Sequence, residues 1–205
     1  NKLRNSVSYP LLLQIFSDFE KKVILKEDVL EIIELCQSYI FRRIICGQLT
    51  SGHRDFFAKL YDRIDKANRQ KYVESIKAEF QVKKGKYRFP TDTEFHEHLL
   101  IENMYERRPN DYPLLKLENF LRKKEKVGIL DRPKVTIEHI LPQNPNLSKD
   151  WQNELGENWK EKQNIHVHRL GNLTLTELNS EYSDRSFKEK KEKGLDNSIY
   201  KLSTD

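Results

Sequence analysis

Between Glu27 and Cys46 the apolar residues Val29, Ile32, Ile33, Cys36, Tyr39, Ile40 and Ile44 recur with the period of a helix lying on a core. Gly47 stands where a C-terminal cap belongs, so this stretch predicts a long helix ending near residue 46. Upstream, Pro10 opens a shorter apolar run, Leu11–Phe19. Downstream, Phe56, Phe57, Leu60, Tyr61 and Ile64 mark another helix, and Tyr72, Val73, Ile76 and Phe80 the next. Thr91 and Glu94 have capping-box spacing ahead of Phe95 and Leu99. Pro109 stops that helix, and Pro113 starts one through Leu114, Leu117 and Leu121. Residues 1–130 therefore read as a helical domain.

The pattern changes near Val127–Pro133, where Gly128 and Pro133 bracket a turn, and a domain boundary is expected there, with a second domain over 131–205. The β-branched run beginning at Val135 ends in Glu138 and His139 side by side, and Pro142 forbids further strand. Leu170-Gly171-Asn172-Leu173-Thr174-Leu175-Thr176 predicts a second strand, followed by a charged helix from about Asp184 to Lys193. Residues 144–167 form an insert with a turn at Asn144-Pro145-Asn146 and short amphipathic segments. Its Trp151 and Trp159 are read as packing anchors rather than base-stacking platforms. Internal repeats and low-complexity tracts are absent from the sequence.

Hydrophobic residues make up 37% of the 205 and charged residues 34%, which is polar, but ten Phe, nine Tyr and two Trp supply a core. The net charge of +5 is uneven: 25 Lys+Arg against 19 Asp+Glu in residues 1–130, and 12 against 13 in 131–205. Any nucleic acid bound would draw its counter-charge largely from the helical part. Arg42-Arg43 admits two readings, a grip on phosphate or an interhelical ion pair, of which the ion pair is expected; Tyr105-Glu106-Arg107-Arg108 shares that ambiguity. Cys36 and Cys46 lie inside the long helical pattern and are expected as buried thiols in a reducing cytosol. No apolar run approaches the roughly 18 residues of a membrane span, and a cytoplasmic location is expected.

Phosphodiester hydrolysis needs a base to activate water and a cation to stabilise charge on the phosphoryl oxygens. Adjacent strand residues face opposite ways, but at a strand end that turns, Glu138 and His139 converge. A hard cation such as Mg²⁺ suits one carboxylate, Glu138, and one amide oxygen, Asn179, while a neutral imidazole at His139 takes the proton of an attacking water. His166 and His168 alternate ahead of the second strand and read either as phosphate or metal contacts or as ordinary strand positions. His168, Arg169 and Lys190 are the nucleic-acid-contacting candidates, although the run Lys188–Lys193 reads by default as a solvated helix face. Phe187 is expected beneath the strand pair. His53, His96 and His98 have no motif around them and are given no role.

The stretch Thr136-Ile-Glu-His-Ile-Leu-Pro-Gln143, then His168-Arg-Leu-Gly-Asn-Leu-Thr-Leu-Thr176, then Asn179-Ser180 and Ser186-Phe187 with Lys190, resembles the C-terminal HNH nuclease domain of GmrSD-type, modification-dependent (type IV) restriction endonucleases and related phage-defence proteins. More distantly it is similar to the HNH domain of RNA-guided CRISPR effectors. Arg42-Arg43-Ile44-Ile45-Cys46-Gly47 and Arg88-Phe89-Pro90-Thr91-Asp92 resemble the segment that precedes the motif in the restriction family. The resemblance implies a mostly α fold, an N-terminal helical bundle followed by a small ββα-metal (HNH, His-Me finger) module. It implies His139 as general base, Glu138 and Asn179 as ligands of Mg²⁺ or Mn²⁺, and Asn172 holding the loop and the His139 backbone. Glu138 departs from the Asp of the CRISPR enzymes, and Asn179 stands where many such nucleases carry a histidine, which argues against zinc there.

The expected activity is metal-dependent cleavage of double-stranded, modified DNA in antiviral defence. The alternative is a non-catalytic helical module that binds DNA or protein through a degenerate motif. Family members place a nucleotide-hydrolysing sensor ahead of this region, yet no phosphate-binding loop occurs among the seven glycines and the chain begins at Asn1. The chain is thus expected to be the C-terminal portion of a larger protein.

Overall fold

Two compact units make up the chain, Asn1–Leu99 and Leu100–Asp205. The structure is a computed structural model that describes residues 5–48, 52–107, 109–122, 135–177, 182–196 and 198–204. The division falls well before the change of pattern at 127–133, and that expected boundary lies outside the described residues. What moves it is the helix opened by Pro113, whose burying face packs on the second strand.

In the first unit the predicted periods fold as helices α1 (Tyr9–Glu20), α2 (Lys26–Ile45), α3 (His53–Leu60), α4 (Arg69–Val82) and α5 (Asp92–Ile101). Gly47 adopts φ +64°, the left-handed conformation that ends α2 cheaply only for glycine. The Glu94 N–H donates to Thr91 Oγ1 at 3.2 Å, which caps the start of α5. Tyr39 of α2 is the hub of the core: its ring meets Phe56, Phe57, Phe80 and Phe89, and its hydroxyl donates to the Tyr87 carbonyl at 2.9 Å. Arg42 pairs with Asp92 at 2.5 Å and donates to the Pro90 carbonyl. Arg43 is buried and donates to Gln48 and to the Arg88 carbonyl. The two arginines therefore tie α2 to the segment leading into α5, as the ion-pair reading expects.

The second unit is built around two four-residue strands. β1 (Thr136–His139) pairs antiparallel with β2 (Leu173–Thr176), Glu138 opposite Thr174 and His139 opposite Leu173. All of β2 is buried. Helix α6 (Asp111–Leu121) and the C-terminal turn α10 (Lys201–Thr204) pack on β2. The connection between the strands carries α7 (Lys149–Leu155) and α8 (Trp159–His166), and Trp151 packs with Leu141 and Leu147. After β2 comes α9 (Phe187–Lys190), continued by a π-type turn at Lys191–Leu195. Among the described residues the order is thus β1, α7, α8, β2 and α9, with the regular helix after β2 shorter than the charge pattern predicts. Phe187 differs from expectation: it is 39% exposed, with its ring against Trp151 rather than under the strands. Tyr105 precedes α6; Arg107 pairs with Glu102, and Arg108 lies outside the described residues.

Both cysteines are buried and neither is in a disulfide. No helix among the described residues is long and apolar enough to cross a membrane.

Glu118 anchors the C-terminal turn. It is fully buried, accepts from the Lys201 and Leu202 N–H groups at 3.0 and 2.8 Å, and pairs with Arg122, which also donates to the Ile199 carbonyl. Glu118→Ala leaves a buried guanidinium and two amides without their acceptor and is expected to destabilise the protein by about 3 kcal/mol. Urea unfolding measures the loss, and limited proteolysis should show earlier cutting after Ser198.

Candidate active site

The turn that follows β1 is held by one side chain. Asn172, at the end of a short 3₁₀ turn leading into β2, accepts from the Leu141 N–H at 2.7 Å. Its amide nitrogen donates to the Leu141 and Val167 carbonyls at 3.0 and 2.8 Å, and its own carbonyl accepts from the Ile140 N–H at 3.0 Å. A buried amide that uses both its acceptor and its donors fixes the chain direction just beyond His139. Gln163 supports the next residues by donating to the Pro142 and Asn144 carbonyls.

With the strand ended this way, Glu138 and His139 are buried at 5% and 4% exposure. Lys190 does not project to solvent as the charged run predicts. It is 1% exposed, and its ammonium donates to Glu138 Oε1 at 2.6 Å and to the His139 carbonyl at 2.7 Å. Ser186 and Glu189 cap α9 reciprocally, and Trp151 Nε1 donates to the Arg185 carbonyl just before it. Behind Lys190, a Cβ on Gly194 would run into the ring of buried Tyr182, so the π-type turn fits closely only with glycine there.

The His139 imidazole meets two rings. His168 Nδ1 lies 3.2 Å from His139 Nε2, and Tyr105 stands edge-on to His139 with centroids 4.4 Å apart while stacking on His168 at 5.4 Å and 11°. The Met104 N–H donates to the His168 carbonyl at 2.8 Å, which keeps Tyr105 at this position. His168 lies in the turn after α8, not on a strand, and His166 ends α8 exposed. Arg169 is partly buried, and its enclosed Nε makes no hydrogen bond among the described residues. Asn179, the other expected cation ligand, lies outside the described residues. Tyr105 and the inward turn of Lys190 were not signalled by the sequence motif, because both come from elements distant along the chain.

Electrostatics follow from burial. His139 is pushed down to about 4, first by burial and then by the charges of His168 and Lys190. It is a neutral imidazole across the physiological range. Burial raises the Glu138 carboxyl and outweighs the pull of Lys190; the exposed Asp184 carboxylate adds to the rise. Two oxygens, the Glu138 carboxylate and the His139 carbonyl, thus face one buried positive charge. Such oxygens are donors of the kind a hard divalent cation takes.

The family profile described as GmrSD restriction endonucleases, C-terminal domain, matches residues 89–205, and the chain belongs to that family. Neither a curated protein nor a solved structure matches the chain.

Two consequences are measurable. Neither Asn172→Ala nor Asn172→Asp offers both an acceptor for Leu141 and a donor for two carbonyls, so each is expected to destabilise by roughly 2–4 kcal/mol in urea unfolding. The His139 shift gives a pH dependence. The unfolded chain binds this proton near 6.5 and the folded one near 4, so the stability is complete above 6.5 and is lost as pH falls toward 4. The loss amounts to roughly 3 kcal/mol. Glu138, raised by burial, works in the opposite direction above its ordinary range. The difference in slope between wild type and His139→Asn between pH 7 and 4.5 isolates the histidine.

Proposed function

We propose that the chain is a divalent-metal-dependent DNA endonuclease domain of the HNH type, serving a modification-dependent restriction protein in antiviral defence. The observation that carries this reading is a neutral imidazole beside a carboxylate and a carbonyl that share one buried positive charge.

His139 acts as the base. When its Nε2–H donates to His168 Nδ1, the remaining ring nitrogen, Nδ1, is unprotonated and free to take a proton from water. The opposite tautomer spends the lone pair on His168, so the working form is the one in which His168 Nδ1 accepts, and Tyr105 holds the His168 plane. Glu138 and Asn179 would hold a divalent cation, Mg²⁺ or Mn²⁺, which would supply stabilisation of charge on the phosphoryl and departing oxygens. For Glu138 to serve, Lys190 gives up its carboxylate partner. Arg169, which follows His168 and is only partly buried, contacts the phosphate backbone. Modified double-stranded DNA is the substrate, selected by a nucleotide-hydrolysing sensor domain.

A second reading has a specific observation behind it. Lys190 already neutralises Glu138, and His139 is nearly inaccessible, as in a binding module that has lost catalysis. A plasmid-nicking assay separates the two. Wild type is expected to nick in Mg²⁺ or Mn²⁺ and to stop in chelator, and His139→Ala to lose at least ~100-fold in rate. DNA binding without cleavage in any divalent metal would establish the module instead, and equal nicking by both proteins would remove His139 from the chemistry.

A further inference from the structure

The first unit brings together three donors that the nuclease reading does not use. Cys46 closes α2 and is 8% exposed, its N–H bonded to the Arg42 carbonyl. Glu94 and His98 stand four residues apart on α5, and so on one face of that helix. The Cys46 sulfur, a Glu94 carboxylate oxygen and a His98 ring nitrogen all lie within 4.8 Å of one another. From the usual metal–ligand bond lengths, donors around a tetrahedral zinc stand roughly 3.3–3.8 Å apart. Small side-chain rotations therefore bring these three onto one ion.

We propose that Cys46, Glu94 and His98 form a Zn²⁺ site that clamps the end of α2 to α5, with water in the fourth position. The donor set decides the metal. A thiolate with an imidazole and one carboxylate favours Zn²⁺ and is a poor match for Mg²⁺, which prefers oxygen throughout. The surroundings help as well. Arg88 donates to both Glu94 oxygens and Gln48 donates to one, so the carboxylate is held in one orientation before any metal arrives. Arg88 then takes the part of an outer partner that steadies a ligating carboxylate. The match to the restriction family begins at residue 89 and so does not include Cys46.

The test uses the full chain, stripped with chelator and reloaded with Zn²⁺ or Co²⁺. Wild type is expected to keep one Zn²⁺ per chain through dialysis. Its Co²⁺ form should show a thiolate-to-metal charge-transfer band in the near ultraviolet, and Zn²⁺ should raise its unfolding temperature. Cys46→Ser and His98→Gln should each abolish the band and the thermal shift and weaken Zn²⁺ by about 100-fold or more, whereas Cys36→Ser should leave all three intact. His98→Gln decides the matter if Cys46→Ser folds poorly, since His98 is only partly buried. No band in wild type, or Zn²⁺ held equally by the His98→Gln protein, overturns the proposal. DNA nicking is not a readout, so this result stands or falls apart from the nuclease reading.

Discussion

A single ammonium determines how the Glu138–His139 pair is held. Lys190 enters the protein interior from a four-residue helix and meets Glu138 and the His139 carbonyl, both of which lie on a strand fifty-two and fifty-one residues earlier. Taking an ammonium and a carboxylate out of water is expensive unless each finds good partners. Here the lysine has two oxygen acceptors, and the elements around it keep it in place: the reciprocal cap at Ser186 and Glu189, the Trp151 bond to Arg185, and Gly194 against Tyr182. The contact ties α9 to β1, and under the nuclease reading proposed above it would also compete with a divalent cation for Glu138.

Much of the fold could be read from the chain because its signals are local. The period of α2, the positive φ of Gly47, the Thr91 cap and the two short strands follow from residues within one or two turns of each other. The site was legible only in part. Glu138 and His139 stand out at a strand end before Pro142, whereas the run around Lys190 has lysine or glutamate at successive positions, and nothing in such a pattern tells which lysine turns inward. Tyr105 and His168 meet through a backbone bond between Met104 and His168, a pairing that no periodicity encodes. Phe187 looked like core by composition, but Trp151 from the insert already fills the space beside Leu141 and Leu147. His98 went unread because its neighbours in sequence are unremarkable and its sulfur partner lies at the end of another helix.

The two donor groups differ in chemical softness. Around His139 the acceptors are oxygens, and the charge they face is hard; around Cys46 a sulfur and an imidazole join one carboxylate. Under the two proposals above, this difference would sort magnesium from zinc. In the same way Arg88 and Lys190 play related parts: each cation holds a glutamate in the orientation a metal would want.

The Asn172 clasp also has an evolutionary consequence. Because one amide joins Leu141 directly to the start of β2, the segment from Pro142 to Gly171 is an excursion closed at its base. Lengthening such an excursion adds little closure entropy. Natural variants that keep Asn172, Gln163 and the Trp151 anchor are free to trade the solvent face of α7 and α8 for new surfaces, acquiring different companions while the turn after Glu138 and His139 stays unaltered.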